Sequence, residues 1–480
     1  MSDIEITKTD IHNRKNKVKK YIPNLIIENK KVLDVKIIPT KKKMLQAADI
    51  VKEYIIKNKR KVFGGMAINE AIIAKNPKKS LYTSNDFPDY DFYSPDPIKD
   101  MITIANLLVK TGFKEVSAKE AFHANTYKIQ AELYENELAD ISYVWSFNYH
   151  KIPTFVVKGI HYVRPEFQIM DMYRILTNPM TGWFKVEKTY ERCQLLENFY
   201  LTQTKKQISQ LSYNKKSLDT PKYLMSHLNE LIDNFLKVRN DVIIIGNLAY
   251  NNLIETSKIY NMKKKLIPIS KISVYTNNYD NVVSDCISFI KKNLDKTGDL
   301  TVDQYHPFLE LYGKSSSINI NHHNIITIYS TDICQPYYLN NGLKYASYHL
   351  TLLHLYANRF KSFTFNKKND ISLLTFMIKN LQYSREYFYK KNKKIGIEKT
   401  PYQELQIECM GNEIHTPFYE MVQRTKQNKS FRYFPNVGKT KTYAEMMKKK
   451  MIFPNYSGNQ KNKEPITIKL KKKIDLKISK

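Results

Sequence analysis

Apolar and polar positions alternate with two different periods over the first 180 residues. A period of three to four predicts amphipathic helices over residues 41–59, 66–74, 99–111 and 165–176. Short apolar stretches predict strands over residues 87–93 and 137–145. Residues 76–88 include two prolines together with Ser, Asn and Asp, and this composition predicts a loop. Helices and strands interleaved in this way indicate a mixed α/β (α+β) domain.

The same pattern returns in the second half of the chain. Residues 63–72 (FGGMAINEAI) match residues 245–254 (IGNLAYNNLI) at an offset of 182. At the same offset, residues 89–94 (DYDFYS) fall on residues 271–276 (KISVYT). Chance similarity between two α/β segments is the alternative explanation. Because order and spacing agree over more than 100 residues, the sequence predicts a second, degenerate copy of the first domain.

Composition and periodicity together divide the chain into five parts. We predict a basic, irregular N-terminal segment, a catalytic domain, a helical connector, the degenerate copy, and a basic C-terminal region, at residues 1–40, 41–180, 181–235, 236–395 and 396–480. In the last part, apolar residues alternate with polar ones from Ile466 to Ile478, interrupted only at Lys472. This period favours a strand that adds to a sheet edge, whereas the eight lysines after residue 460 favour a solvated tail.

The charge balance restricts the class of partner. Lys and Arg total 77 against 46 Asp and Glu, which gives a net charge of +31. Internal pairing cannot neutralise this surplus, and such surfaces commonly bind nucleic acid or an anionic membrane. Lysine enrichment caused by genome base composition is the alternative. Neither a signal peptide nor a spanning segment is visible in the sequence, so no membrane partner is expected.

The four cysteines are scattered along the chain and predict no metal site. None of them forms a CxxC pair or has a histidine at zinc spacing. They are predicted to be free thiols in a reducing compartment: Cys193, Cys286, Cys334 and Cys409.

Three aspartates are the candidates for catalysis. Asp89 and Asp91 are two residues apart on a predicted strand, so they share one face with Cα atoms about 6.5 Å apart. Asp140 lies in the other predicted strand and would be about 4.8 Å away if the two strands are neighbours. Such carboxylates repel one another unless a cation lies between them, and hard oxygen ligands select Mg²⁺ or Mn²⁺. Three of them can hold two ions about 3.5–4 Å apart.

The second copy has lost all three acidic positions. Lys271 and Ser273 replace Asp89 and Asp91, and Thr327 is expected at the position of Asp140. We therefore expect the chemistry to be confined to the first domain.

A glycine pair precedes the second predicted helix and suits a phosphate group. Gly64 and Gly65 follow the apolar pair Val62-Phe63, and glycines between an apolar segment and a helix let backbone N–H groups approach an anion. A substrate triphosphate would then lie between this turn and the metals. Arg164, Lys128 and Lys185 are candidates for contacting it, and their spacing does not select among them.

Each of these signals is common by itself, but their order is informative. An apolar residue with G[GS], then Dx[DE], then a third acidic strand resembles the motif of the polymerase-β-like nucleotidyltransferase superfamily. Here the motif consists of residues 63–65 (FGG), residues 89–91 (DYD) and Asp140. Together with the degenerate second copy, residues 45–365 resemble the poly(A) polymerase catalytic subunit of large nucleocytoplasmic DNA viruses, and the giant-virus form more than the poxvirus form.

The resemblance implies a reaction, a set of ligands and a set of partners. All three aspartates would bind two divalent metals, Mg²⁺ or Mn²⁺, and Asp140 would also help to activate the incoming 3′-hydroxyl. ATP would be the substrate and an RNA 3′ end the acceptor of template-independent AMP transfer. A homodimer is implied, located in the host cytoplasm or the virion. The gap between Gly65 and Asp89 is longer than in most members, and we assign the excess to the loop.

Two alternative functions remain open at this point. A tailing enzyme that uses UTP or CTP would carry the same metal motif, and a non-catalytic RNA-binding platform would carry the same charge. Residues 384–394 and 430–434 interleave aromatic and cationic side chains, which is typical of single-stranded RNA binding. The alternative is that Tyr387 and Phe388 belong to a core.

Overall fold

The computed structural model arranges the chain around two β-sheets, one built mainly from residues 61–163 and the other mainly from residues 243–346. It describes residues 7–83, 86–121, 125–131, 138–178, 183–200, 212–213, 222–293, 299–308, 311, 313–331, 333–392, 400–403, 408–411, 431–435 and 466–469. It describes the backbone alone for residues 8, 11, 33–40, 183, 222, 223 and 466–469.

The first sheet has eight strands within the described ranges. They are β1 Lys61–Val62, β2 Tyr90–Ser94, β3 Ser117–Glu120, β4 Thr126–Gln130, β5 Ala139–Tyr143, β6 Thr154–Val157, β7 Ile160–Val163 and β16 Arg432–Tyr433. Their order across the sheet is β16-β3-β4-β5-β2-β1-β7-β6. The pairs β2–β5 and β1–β7 are parallel, and the remaining neighbours are antiparallel. The predicted mixed architecture is confirmed.

Helices cover both faces of the first sheet. They are α1 Lys8–Lys57, α2 Gly64–Ile73, α3 Pro97–Lys110, α4 Ser146–Lys151 and α5 Pro165–Leu176, with a 3-10 turn at Pro77–Lys79. Most buried residues of α1 and α3 share one core, and most of those of α2 and α5 share the other. The predicted helix over residues 165–176 is confirmed at both ends.

The N-terminal segment is helical, so the expectation of an irregular lead-in before residue 41 is wrong. Helix α1 begins at Lys8 behind a capping box, in which Thr7 and Asp10 satisfy each other's backbone N–H groups. Its last turns pack on the sheet through Ala47, Val51 and Ile55. The cap starts this helix independently of the apolar period, which begins later. Of the helices described, none combines the length and the apolar character needed to cross a bilayer.

The second sheet has nine strands within the described ranges. They are β8 Ile243–Ile245, β9 Ile272–Thr276, β10 Leu300–Tyr305, β11 Ser315–Ile320, β12 His323–Ser330, β13 Gln335–Asn340, β14 Leu343–Ala346, β15 Cys409–Met410 and β17 Ile466–Lys469. Their order is β15-β13-β14-β8-β9-β12-β11-β10-β17. Short turns lie at Trp183–Lys185, Met262–Lys264 and the π-helical Leu231–Leu236. The remaining helices are α6 Val186–Tyr200, α7 Lys222–Glu230, α8 Gly246–Ser257, α9 Tyr279–Asn293, α10 Tyr348–Thr364 and α11 Lys368–Asn392.

The two sheets have the same topology, which confirms the predicted repeat. The order β3-β4-β5-β2-β1-β7-β6 in the first sheet corresponds strand by strand to β10-β11-β12-β9-β8-β14-β13 in the second. The register is also the same, because Asp91 lies opposite Asp140 and Ser273 lies opposite Thr327. Helices α2 and α8 both begin at a glycine with positive φ, +66° at Gly64 and +68° at Gly246.

The two copies pack against each other through α5 and α10. The rings of Phe167 and Phe360 meet edge to face with centroids 5.0 Å apart. A buried ion pair connects the helices that follow, since Arg385 Nη2 of α11 lies 3.4 Å from Glu197 Oε2 of α6. Tyr173 of α5 donates a hydrogen bond to the same carboxylate. One apolar core therefore includes residues of both copies.

Two cysteines differ from the expectation of free thiols. Cys334 and Cys409 form a disulfide, because β15 pairs with the edge strand β13 and the two Cα atoms lie 5.3 Å apart. Cys193 and Cys286 are free and buried, as predicted.

The proposed RNA-stacking segments are largely structural. Phe431 and Tyr433 are buried in the core of the first sheet because β16 extends it beyond β3. Phe388 is buried in the core shared by the copies, Tyr387 is half-buried against that core, and Arg385 forms the buried ion pair. For these side chains the core alternative is correct.

The alternating pattern near the C-terminus forms a strand where the structure describes it. Strand β17, Ile466–Lys469, pairs antiparallel with β10 and extends the second sheet at its edge. The remaining positions of that pattern, up to Ile478, lie outside the described residues.

Candidate functional site

Two neighbouring strands carry two of the three predicted aspartates. Strands β2 and β5 are parallel, and their register places Asp91 directly opposite Asp140. Tyr90 and Phe92 are buried against α1 and α3, so Asp91 faces the opposite side of the sheet. Adjacent strands are about 4.8 Å apart, which makes the two carboxylates near neighbours. The predicted juxtaposition is confirmed, and the role of these residues as ligands remains a prediction.

Asp89 precedes the strand and is not part of it. The predicted strand over residues 87–93 begins only at Tyr90, and Asp89 is exposed. Pro88 explains the difference, because proline has no N–H to donate to a neighbouring strand. The Asp89 carboxylate nevertheless lies close enough to Asp91 to affect its ionisation.

The negative charges of this site favour the binding of a cation. Burial raises the pKa of Asp91 well above its usual range, and the carboxylates of Asp89 and Asp140 raise it further. The ammonium of Lys185 acts in the opposite direction. Asp171 on α5 is a fourth carboxylate that raises the same pKa, and it was not among the aspartates predicted from the sequence. The one sequence feature that could have indicated Asp171 is its position on α5, the helix predicted over residues 165–176.

The carboxylate oxygens of this site are suitable ligands for a hard divalent ion, although in the described residues they are not arranged around a single point. Within the described part of the chain, no three His, Cys, Asp or Glu side chains are already arranged as a metal cage. Asp89, Asp91 and Asp140 offer carboxylate oxygens alone, which Mg²⁺ and Mn²⁺ prefer. A cation would remove the mutual repulsion that now raises the pKa of Asp91. The residues therefore fit the ion by charge and by donor type.

The glycine turn lies directly against the carboxylates. A Cβ added to Gly64 would overlap Asp91 Oδ2, so a glycine is required at this close approach. The backbone N–H of Gly64 donates to Oε1 of the buried Gln168, 3.2 Å away. The N-cap residue of α2, Phe63, makes no side-chain hydrogen bond to the helix. Its first N–H groups and its positive dipole end are therefore next to the acidic cluster, in the position predicted for a phosphate.

Three cations on α6 and on the short turn that precedes it, Lys185, Lys188 and Arg192, lie near this glycine turn. Arg192 Nη2 donates to Tyr82 Oη at 3.4 Å, and a Cβ on Gly65 would lie 3.3 Å from Arg192 Nη1. The charge of Arg192, with burial, lowers the pKa of Lys188, whereas the carboxylates of Asp89 and Asp91 raise it. Lys185, one turn before Lys188, also acts on it. Of these cations, only Lys185 was predicted from the sequence. Positions 185, 188 and 192 have the spacing of one helix face, and this spacing could have indicated that the three cations lie together.

The other two predicted phosphate contacts lie in different surroundings. Lys128 is opposite Asp140 on β4, and its Nζ is 4.0 Å from Asp140 Oδ2. It therefore compensates a carboxylate of the acidic cluster. Arg164 is the N-cap residue of α5 and is exposed, and its backbone N–H donates to the carbonyl of Pro153. Neither position is on the α6 face that carries the cations.

Comparisons with known proteins agree with this geometry. Residues 49–182 match the family "Poly(A) polymerase catalytic subunit", and residues 200–472 match the family "APMV, Putative poly(A) polymerase, catalytic subunit, C-terminal". A catalytic subunit of the same description from Acanthamoeba polyphaga mimivirus is 28% identical, over 92% of this chain and 81% of that protein. Its African swine fever virus counterpart is 30% identical over 32% of this chain and 33% of that protein.

A solved structure extends the comparison to the whole fold. The crystal structure of the Megavirus polyadenylate synthase superposes with a TM-score of 0.82 at 26% sequence identity, covering 96% of this chain and 93% of that chain. The second family match alone spans more than half of the residues. The chain therefore belongs to the viral poly(A) polymerase catalytic subunit family and is a nucleotidyltransferase.

Proposed function

We propose that this enzyme transfers AMP from ATP to the 3′-hydroxyl of RNA, without a template and with two divalent metal ions. The observation that carries the proposal is the register that places Asp91 opposite Asp140, beside Asp89 and against the glycine turn. Asp89, Asp91 and Asp140 would hold the metals. Bound there, Mg²⁺ or Mn²⁺ would stabilise the negative charge on the oxygens of the attacked α-phosphate and of the leaving pyrophosphate.

The triphosphate is proposed to lie between the glycine turn and α6. The N-terminal N–H groups of α2 would donate to phosphate oxygens, which also interact favourably with the helix dipole. Lys185, Lys188 and Arg192 would neutralise the β- and γ-phosphates from the opposite side. The lowered pKa of Lys188 supports this assignment, because an anion beside it would relieve its repulsion by Arg192. Gly64 and Gly65 add no side chain of their own to a turn where Asp91 and the hydroxyl of Tyr82 already approach closely.

The acceptor hydroxyl is proposed to approach from the Asp140 side. Asp140 would accept the proton of the RNA 3′-hydroxyl as the oxygen attacks the α-phosphate of ATP. Lys128, 4.0 Å from Asp140, places a positive charge beside that carboxylate and near the incoming RNA backbone. The net charge of +31 supports a polyanionic acceptor, with affinity that falls steeply as salt rises.

One panel of assays tests the reaction and its substrate. The protein is incubated with a short RNA, Mg²⁺ and each nucleoside triphosphate singly, and extension is measured. We expect extension with ATP, loss of at least about 100-fold in Asp91→Asn, and little change in Ser273→Ala, the matched substitution in the second copy. Equal extension with UTP or CTP would overturn the choice of ATP. Full activity of Asp91→Asn would overturn the catalytic site.

The assembly and the location remain predictions from the resemblance. A homodimer, in the host cytoplasm or the virion, is expected. Sedimentation at several protein concentrations would check the dimer, and a monomer at all of them would contradict it.

A further inference from the structure

The second copy keeps the architecture of the catalytic cleft but has different chemistry in it. Gly246 begins α8 with φ +68°, as Gly64 begins α2, and the strand register that pairs Asp91 with Asp140 recurs between Ser273 and Thr327. Two hydroxyl side chains thus replace two carboxylates. Nothing in this cleft needs a metal to neutralise it.

A neutral histidine closes the floor of this cleft. A Cβ on Gly246 would lie 3.5 Å from Ser273 Oγ and 3.8 Å from His354 Nε2, so the imidazole lies at ordinary contact distance from the turn. Asn358 Nδ2 is 2.8 Å from His354 Nε2. Burial, with the charges of Lys271 and Lys361, lowers the pKa of His354 to about 3, which leaves the ring uncharged at physiological pH. The floor is therefore polar but carries no charge.

The mouth of the cleft is cationic where the catalytic cleft is acidic. Lys271 occupies the position of Asp89, and both Lys271 and Lys367 are exposed. Burial lowers the pKa of Lys361 to about 8, and the positive charges of Lys271 and Lys367 contribute, so the three ammonium groups lie near one another. Lys361 Nζ also lies 4.9 Å from the centre of the Tyr305 ring. Burial and the charge of Lys367 lower the pKa of Lys271, whereas the carboxylate of Asp370 raises it and so offsets part of this positive charge. An anion between the three ammonium groups would offset the rest.

We propose that the cleft of the second copy is a metal-independent binding site for a phosphate of the RNA backbone. Lys271, Lys361 and Lys367 would neutralise that phosphate, and Tyr305 offers an aromatic surface beside it. A phosphodiester of RNA is favoured over a free nucleotide because the catalytic cleft already supplies the cations and the glycine turn that a triphosphate needs. The statement that this RNA is the acceptor of AMP rests on the proposed function, whereas the proposal of a phosphate-binding site does not.

Binding to RNA without metal separates this site from catalysis. The dissociation constant of a single-stranded RNA is measured in EDTA at several salt concentrations, for the wild type and for the double variant Lys271→Gln/Lys367→Gln. Both residues have exposed surface, but burial still lowers the pKa of Lys271, so a melting curve checks that the variant retains its fold. Weakening this single phosphate site should raise Kd about tenfold and reduce the slope of log K against log salt by up to roughly 0.7, the contribution of one neutralised phosphate on a single strand.

A matched pair of lysines provides the control. Lys291 and Lys292 are exposed at the end of α9, whose buried residues belong to the core on the other face of the second sheet. Lys291→Gln/Lys292→Gln removes the same charge and should change Kd much less. Equal effects of the two pairs would overturn the site, because they would show a response to net charge alone. No effect of Lys271→Gln/Lys367→Gln would also overturn it.

Two further comparisons identify the ligand and show whether a negative result contradicts this site or the proposed function. ATP and inorganic phosphate are titrated in EDTA against the same variants, and weaker ATP binding with unchanged RNA binding would overturn the assignment to RNA. If the nucleotide panel failed to show adenylation while the cleft variant still lost RNA affinity, the proposed function would fail and this site would stand.

Discussion

Replacing Gly64 by alanine tests the closest approach in the catalytic site. The new Cβ would overlap Asp91 Oδ2 and lie 2.9 Å from its Cγ, whereas carbon atoms in ordinary contact are about 3.5–4 Å apart. The Asp91 side chain must therefore retreat by about 1 Å. A misplacement of that size in a catalytic group can reduce the rate about 100-fold, or about 2.7 kcal/mol of barrier.

Gly246→Ala is the matched control for this substitution. Both glycines have a φ near +67°, so alanine should cost each of them about 1 kcal/mol of folding stability. At Gly246, however, the nearest atom to the new Cβ is Ser273 Cβ at 3.4 Å, which is ordinary contact. The two variants should thus lose similar stability, and only Gly64→Ala should lose activity.

The assay measures both quantities on the same preparations. Urea unfolding gives the free energy of unfolding, and AMP incorporation into RNA at saturating ATP gives kcat. We expect the two stabilities to agree within about 0.5 kcal/mol and the kcat values to differ by about 100-fold. Similar kcat values for the two variants would refute the reasoning, because the approach of Asp91 to the glycine turn would then be irrelevant to the chemistry.

Three further substitutions or conditions test the electrostatics. Because the pKa of Asp91 is raised, the metal-free protein should lose stability as pH rises through that pKa, and Mg²⁺ should reverse the loss. Melting curves that show the same pH dependence for Asp91→Asn as for the wild type would contradict this. Arg385→Met should leave the buried Glu197 carboxylate uncompensated and cost about 3 kcal/mol by urea unfolding, whereas a loss below 1 kcal/mol would indicate a solvated pair. Asp100→Asn should cost about 3 kcal/mol, because Arg60 Nε lies 2.6 Å from the buried Asp100 carboxylate; an unchanged melting temperature would show that this pair does not anchor α3.

The sequence by itself determined the order of the helices and strands, the internal repeat, and the pairing of two carboxylates, Asp91 and Asp140. The apolar periods located α5 and the strands around Asp91 and Asp140 because those elements bury one regular face. The offset of 182 residues identified the second copy, since both copies repeat the same turn from apolar segment to glycine to helix. These features depend on residues close in sequence, and local patterns record them.

Only the tertiary structure decided which distant side chains complete the site. Asp171 and the cations within residues 185–192 lie more than 100 residues after the glycine turn. They reach it because α5 and α6 pack on the same face of the sheet as α2. The same holds for the cleft of the second copy, where Lys361 and Lys367 meet Lys271 through the packing of α10 and the turn that follows it. No periodicity encodes such contacts, because they arise from burying helix faces that are remote in sequence on one shared core.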